Sequence, residues 1–482
     1  MKNGKLIIKT LFWVGWAAVV STCVFFIVYN AQYLIGDDYE LIRHTGSGKP
    51  FLPSGTIKPN IGRFFPFAYL VYDVLLLFGD GYWSAQSHYV IQAICFVVFV
   101  LCMTSIGLEV LKEVENIRLR YGIVAFFVAL VVCLTLLEFC QCASTAWFGY
   151  TLLSVFMWLF LRFVMNGDWR CGVGALLVVN YLNYCGESSF VLPLALGVCG
   201  LLFHRKNKAL KWFYSLLVVS AMVFLMLYAI TILPHIETSY DGSHGSPDNM
   251  LKNALKMMWG QKMLIVLFLT VLVRMIDLFR NKKGFLPYDA LLLAAVACCC
   301  GNFMLRLNWS LYYTGPILLA LPSILWIINH YLKAGWTLVL FAVFALACGK
   351  NIPFALKRNQ RHRTESYKTI VSLSKQIDTA SDVFWYAPDA DENRFEWTVR
   401  KWKYNVLCTY LGWYRQETDF MLKQATGFDR IANTVWVTAL ENELLFPDDN
   451  KLRDEGEELF YLNTDGIAGY RVLSGDNAID SK

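Results

Sequence analysis

The run LFWVGWAAVVSTCVFFIVY, Leu11–Tyr29, contains no charged residue. A helix crossing a hydrocarbon layer of ~30 Å needs ~20 residues at ~1.5 Å each, so this stretch is long enough to span a bilayer. Lys2, Lys5 and Lys9 stand before it. The apolar stretch is too long for the core of a secretion signal, and no small-residue cleavage site follows, so the reading is a retained first span. Similar runs recur at Ile91–Leu108, Phe213–Leu233 and Met263–Val273. Together they predict about eleven spans, at 8–30, 84–108, 121–138, 149–165, 170–185, 188–203, 210–233, 260–279, 285–303, 308–331 and 334–350. Phe64–Phe78 is apolar but short and contains Asp73, which predicts a helix lying in the interface or re-entering it.

Composition agrees. Of 482 residues, 56% are hydrophobic and 17% charged, against about 25% charged in soluble domains. The charges sit in clusters between the apolar runs. One set of loops holds Lys112, Arg118, Arg120, Arg162, Arg170, Arg205, Lys206, Lys208, Lys211, Arg280, Lys282 and Lys283. The opposite set holds fewer, among them Arg43, Lys49, Lys58, Arg63, Lys252, Lys256 and Arg306. Basic residues concentrate in short cytoplasmic loops. The bias therefore predicts a multi-pass protein of the cytoplasmic (inner) membrane with its N-terminus in the cytoplasm. An odd span count puts the C-terminal part on the extracytoplasmic side. The net charge of +6 follows from this loop bias and does not point to nucleic acid. Most of the fourteen cysteines lie in spans, where a thiol serves as a small apolar residue, and none has metal-site spacing.

The chain divides into a transmembrane region, 1–350, and a region of different composition, 351–482. In the latter, Thr364–Asp378 has helical spacing, and Phe395–Leu411 is aromatic-rich and reads as helical. Val383–Ala387, Val435–Thr438 and Gly469–Leu473 read as strands. The expectation is a small α/β domain.

The loop after the first span opens Leu34-Ile35-Gly36-Asp37-Asp38-Tyr39-Glu40. Two adjacent carboxylates beside a membrane repel each other. They are accounted for by a solvated loop start, by binding of a metal ion, or by work as a base on a hydroxyl. The same loop ends Pro59-Asn60-Ile61-Gly62-Arg63-Phe64-Phe65-Pro66, one residue after Lys58. A guanidinium entering such an aromatic stretch either snorkels to the headgroups or holds a phosphate. Glu187 stands between two spans with almost no loop, and an ionisable group at that depth is a functional candidate or an interhelical hydrogen-bonding group. Arg306 precedes Tyr312 and Tyr313 at another span end, either as an interface anchor or as a second phosphate ligand. His244 lies in the loop Pro234–Met258 with His235, Glu237, Asp241 and Asp248, a set without strong metal-ligand spacing. His88 reads as a structural, hydrogen-bonded histidine.

These features together resemble the GT-C superfamily of membrane glycosyltransferases. The resemblance rests on acidic residues opening the first outer loop (Asp37, Asp38) and a basic residue near a proline where that loop re-enters (Arg63, Pro66). It rests also on about eleven spans, on Arg306 before the Tyr-rich span of Tyr312 and Tyr313, and on the C-terminal domain. The Trp-Trp-Asp motif of the oligosaccharyltransferase branch is absent from the sequence. The resemblance implies a GT-C-like fold and a polyprenyl-phosphate-linked sugar donor. The acceptor would be a cell-envelope glycan, lipid or protein on the outer side. Asp37 or Asp38 would act as base, with one of them able to orient a divalent cation (Mg or Mn). Arg63, Lys58 and Arg306 would hold the phosphate, and Glu187, Tyr312, Tyr313 and His244 the sugar or acceptor. Three other readings compete. A polymerase or ligase using diphosphate-linked glycans would carry an arginine-rich late loop, which Pro234–Met258 is not. A transporter would show inverted repeats, and none is seen. A glycan-binding receptor would bind without turnover.

Overall fold

A computed structural model describes residues 2–29, 56–76, 85–140, 146–186, 189–203, 208–236, 250–280, 284–304, 311–350 and 352–357. In the C-terminal region it describes 382–387, 433–440, 443–444, 458–462 and 468–472. Among the described residues up to 349, the regular structure is helical apart from one short strand pair in the first loop. The helices are α1 Lys2–Tyr29, α2 Leu70–Leu76, α3 Ala85–Val110, α4 Ile117–Thr135, α5 Ala146–Asn166, α6 Trp169–Asn183 and α7 Val191–Phe203. They continue with α8 Lys208–Thr231, α9 Met250–Gly260, α10 Lys262–Arg280, α11 Pro287–Met304, α12 Leu311–Tyr331 and α13 Ala334–Gly349.

Helices occupy all the expected span positions, and eleven crossings are borne out only in part. Among the described residues, eight helices are long and apolar enough to cross a membrane. The shortfall has a physical cause. The 15 residues of α6 and 13 of α7 reach only about 20 Å at ~1.5 Å per residue, and α10 carries Lys262, Arg274, Asp277 and Arg280. The Phe64–Phe78 expectation is also narrowed, because among its described residues the helix is Leu70–Leu76.

The faces of α8 show why this is a membrane fold. Leu210, Phe213, Tyr214, Leu217, Ser220, Ala221 and Phe224 are buried against neighbouring helices. The opposite stripe, Trp212, Leu216, Val219, Val223, Met226 and Ile230, is exposed and entirely apolar. A helix on the surface of a soluble protein would be polar there; one that is apolar on every side faces lipid. The interior is aromatic, with Phe96, Phe99, Phe127, Phe139, Phe156 and Trp147 fully buried.

Local chemistry sets the turns. Asn116 caps α4 by accepting from the N–H groups of Arg118 and Leu119. Between α5 and α6, Gly167 takes φ +73°, and Asp168 caps α6 by accepting from the Arg170 N–H at 3.1 Å. The Cys171 thiol and the Arg170 N–H, both donating to Asp168, hold its carboxyl below the usual carboxylate range. The α7–α8 contact depends on Gly200: a Cβ there would stand 2.2 Å from the Tyr214 ring.

One charged cluster is buried between α10 and α11. Arg274 donates from Nε to Asp289 Oδ1 at 2.7 Å and from Nη2 to Asp289 Oδ2 at 2.8 Å and to the Gly284 carbonyl at 2.8 Å. Its Nη1 reaches Asp277 at 3.3 Å, and the Trp326 ring lies 5.3 Å from the guanidinium carbon. Asp289 also accepts the Leu286 N–H at 2.7 Å, so it closes the first turn of α11 while it binds the arginine.

The three strand expectations in the C-terminal region coincide with strands. With β1 and β2 assigned below to the first loop, they are β3 Asp382–Ala387, β4 Asn433–Leu440 and β7 Ala468–Val472. Beside them stand β5 Glu443–Leu444 and β6 Glu458–Leu462. The sheet order is β5-β4-β3-β6-β7, with β3 parallel to both β4 and β6 and with antiparallel edges. Parallel neighbours need a crossover connection. The helices expected at Thr364–Asp378 and Phe395–Leu411 lie outside the described residues.

Candidate functional site

The first loop re-enters as a small hairpin. Ile57–Lys58 forms β1 and Arg63–Phe64 forms β2, paired antiparallel with Ile57 opposite Phe64 and Lys58 opposite Arg63. A 3-10 turn, Pro59–Ile61, joins them. It ends at Gly62, whose φ of 74° suits a residue without a Cβ. The Gly62 N–H donates to the Pro59 carbonyl at 3.0 Å, and the Phe65 N–H to the Thr56 carbonyl at 3.1 Å.

The bundle grips this hairpin at several points. The Tyr228 hydroxyl, near the C-terminal end of α8, donates to the Gly62 carbonyl at 3.1 Å. The Phe67 N–H donates to the Tyr184 carbonyl at 3.0 Å, and the Tyr181 hydroxyl donates to the Phe67 carbonyl at 2.9 Å. Phe64 is buried in an aromatic box: Phe224 at 5.5 Å, Tyr228 at 6.3 Å and Tyr184 at 6.5 Å between ring centroids. Phe190 stacks behind Phe224 at 5.4 Å. Burying one phenylalanine contributes about 1.5–3 kcal/mol, and each favourable ring pair about 0.5–1.5 kcal/mol more. Below the box, Asn183 donates to the Ser220 carbonyl at 3.1 Å, and the Ser220 hydroxyl donates to Asn180 at 2.6 Å, which ties α6 to α8.

The rigidity bears on two cations. Arg63 and Lys58 are register partners, so they share one face of the hairpin. Arg63 is half-buried, with its guanidinium carbon 4.8 Å from the Phe65 ring centroid, and Lys58 is exposed. Guanidinium and ammonium both form charge-assisted hydrogen bonds to phosphate oxygens.

Other helix ends gather at the same end of the bundle. Tyr72 of α2 meets His88 of α3 at 5.9 Å and Trp147 of α5 at 6.4 Å. The Tyr89 hydroxyl donates to the Cys140 carbonyl at 3.2 Å. Tyr150 of α5 is hydrogen-bonded to Thr314 of α12 and lies within electrostatic range of Glu138. Asp73 stands in electrostatic range of Tyr181.

Of the residues singled out from sequence, the structure brings Lys58 and Arg63 together. Tyr313 is buried against Phe303 at 4.9 Å. Tyr312 is half-buried, its carbonyl accepting from Asn302 at 2.7 Å. Asp37, Asp38, Glu187, His244 and Arg306 lie outside the described residues. Among the described residues, no group of three His, Cys, Asp or Glu side chains is placed to hold a metal ion. Sequence reasoning missed Tyr181, Tyr184, Tyr228, Asp73 and Glu138. The available clue was the recurrence of tyrosines and carboxylates within a turn of the helix ends on one side.

Fold and site define a multi-pass helical membrane protein with a basic, aromatic-walled hairpin seated at one end of its bundle. Among solved structures, the chain is similar to ArnT from Cupriavidus metallidurans bound to undecaprenyl phosphate. Identity is 14%, coverage is 94% of this chain and 93% of that one, and the TM-score is 0.49. The apo state of that protein matches at 13% identity with the same coverage and a TM-score of 0.48. No family model matches the chain, and no curated protein matches it.

Proposed function

We propose that this chain is a GT-C-type membrane glycosyltransferase. It would move a sugar from a polyprenyl-phosphate donor to a cell-envelope glycan, lipid or protein acceptor on the outer side of the cytoplasmic membrane. The observation that carries the reading is the hairpin that sets Lys58 opposite Arg63 at the end of a lipid-facing bundle. A lipid-linked donor keeps its chain in the bilayer and its phosphate at the interface. Two cations on a hairpin anchored through Phe64 carry the charge that complements that headgroup.

The chemistry follows. The acceptor hydroxyl gives its proton to Asp37 or Asp38 as its oxygen bonds to the anomeric carbon. The bond from that carbon to the phosphate oxygen breaks, and polyprenyl phosphate leaves with the electron pair, inverting the centre. Arg63, Lys58 and Arg306 stabilise the charge that builds on the leaving phosphate. Glu187, Tyr312, Tyr313 and His244 contact sugar or acceptor hydroxyls. A divalent ion, Mg or Mn, on the Asp37–Asp38 pair is the other use of those carboxylates. In this topology the helices at the eleven span positions all cross or re-enter, α6 and α7 forming a short hairpin. The hairpin end is extracytoplasmic, and an α/β domain at 351–482 lies on the same side.

The test is transfer from a polyprenyl-phosphate sugar by the purified, reconstituted chain. Replacing Asp37→Asn together with Asp38→Asn should lower turnover by about 10²–10⁴-fold, the usual worth of a general base. It should leave donor binding within a few-fold. Full activity in that variant would remove the assigned base, and binding of the donor without any turnover in the wild type would favour a receptor instead.

A further inference from the structure

We propose that α9 is an interfacial helix that binds the anionic phospholipid headgroups of the surrounding membrane at the hairpin end of the bundle. At eleven residues, α9 cannot span a bilayer. It enters α10 through Gln261, whose N–H donates to the Met257 carbonyl at 2.7 Å and whose carbonyl accepts the Leu264 N–H at 2.8 Å. α10 runs from there to Arg274, which binds Asp289 at the start of α11. α11 in turn ends beside Tyr312 at the hairpin end. The α9–α10 joint therefore stands at the level where the apolar thickness begins.

The two sides of α9 differ. Met257 and Met258 pack against the helix core. Leu255 and Trp259, one turn apart, are 57% and 77% exposed, and Lys256 between them is exposed. Lys252 stands one turn before Lys256, and Lys262 follows at the joint. From Met250 to Lys262 there is no acidic residue. A face that sets Lys256 beside a large aliphatic and an indole is ill-suited to water and to hydrocarbon alone. It suits the headgroup layer, where Trp concentrates and lysine meets lipid phosphate. In the topology proposed above, these lysines lie on the side where basic residues are sparse, so the orientation rule does not account for them.

Hydrogen exchange over 250–262 tests this in the full chain, embedded in nanodiscs of phosphatidylcholine with or without a minority of phosphatidylglycerol. Exchange should be about tenfold slower in the anionic discs, given the contribution of lysines near such a surface, and high salt should erase the difference. Lys252→Gln with Lys256→Gln should abolish the lipid dependence, and Trp259→Ser should speed exchange in both lipids. Equal exchange of the wild-type chain in the two lipids would overturn the proposal. So would a difference that survives both the double substitution and high salt, or equal protection in uncharged detergent, which would mean that protein covers the helix. The readout needs no catalysis, so it stands or falls apart from the glycosyltransferase reading.

Discussion

Replacing Asp289 with leucine should destabilise the protein more than almost any other single change at the end of the bundle opposite the hairpin. The carboxylate accepts at 2.7 and 2.8 Å from Arg274 and at 2.7 Å from the Leu286 N–H, and both side chains are 3% exposed. Asp289→Leu leaves a guanidinium buried with Asp277 at 3.3 Å and one carbonyl. Breaking one side of a buried pair costs about 3–5 kcal/mol. Because Asp277 still offers a partial partner, the lower figure, about 3 kcal/mol, is expected. That corresponds to roughly a hundredfold change in the folded ratio and a fall in apparent Tm of roughly 5 °C. The assay is loss of the monodisperse elution peak after heating in detergent. The double variant Arg274→Met with Asp289→Leu should cost clearly less than the two single changes added together, with a coupling of about 2 kcal/mol, because it removes the stranded charge. Transfer activity below Tm should stay near wild type. Strict additivity, or an Asp289→Leu melting curve that overlays the wild type, would refute the reasoning.

Two further outcomes follow from the geometry. Gly200→Ala should cost about 1–3 kcal/mol by overpacking, since the new Cβ would meet the Tyr214 ring; combined with Tyr214→Ala, the loss of thermal stability should be less than the sum of the two single losses. Tyr228→Phe removes the hydroxyl that holds Gly62 and keeps the ring in the box around Phe64. A neutral hydrogen bond is worth about 1 kcal/mol, so donor binding should weaken about fivefold, read as a Kd for polyprenyl phosphate, with little change in Tm.

The apolar runs announced the helices, because a bilayer demands a long stretch without charge wherever the chain crosses it. α1, α3, α4 and α8 could be drawn from Leu11–Tyr29, Ile91–Leu108 and their like with small errors at the ends. The strands β3, β4 and β7 were visible in the same way, as short apolar runs bounded by turns. α6 and α7 also fall within three residues of the expected 170–185 and 188–203, but the apolar runs do not show whether helices that short cross the whole layer.

Two features lay beyond any local pattern. Arg274 and Asp289 sit fifteen positions apart in separate apolar runs, and nothing along the chain joins them until α10 folds against α11. Arg63 could be chosen from its setting among aromatics, and Lys58 stood in the same loop. Their opposition is local to the hairpin, but the clamp of Tyr228 and Tyr181 around it depends on contacts more than a hundred residues apart in the chain. Solvent preference is a property of each residue and can be read along a line. Which side chains share a site is a property of distance in space, and only the folded chain decides it.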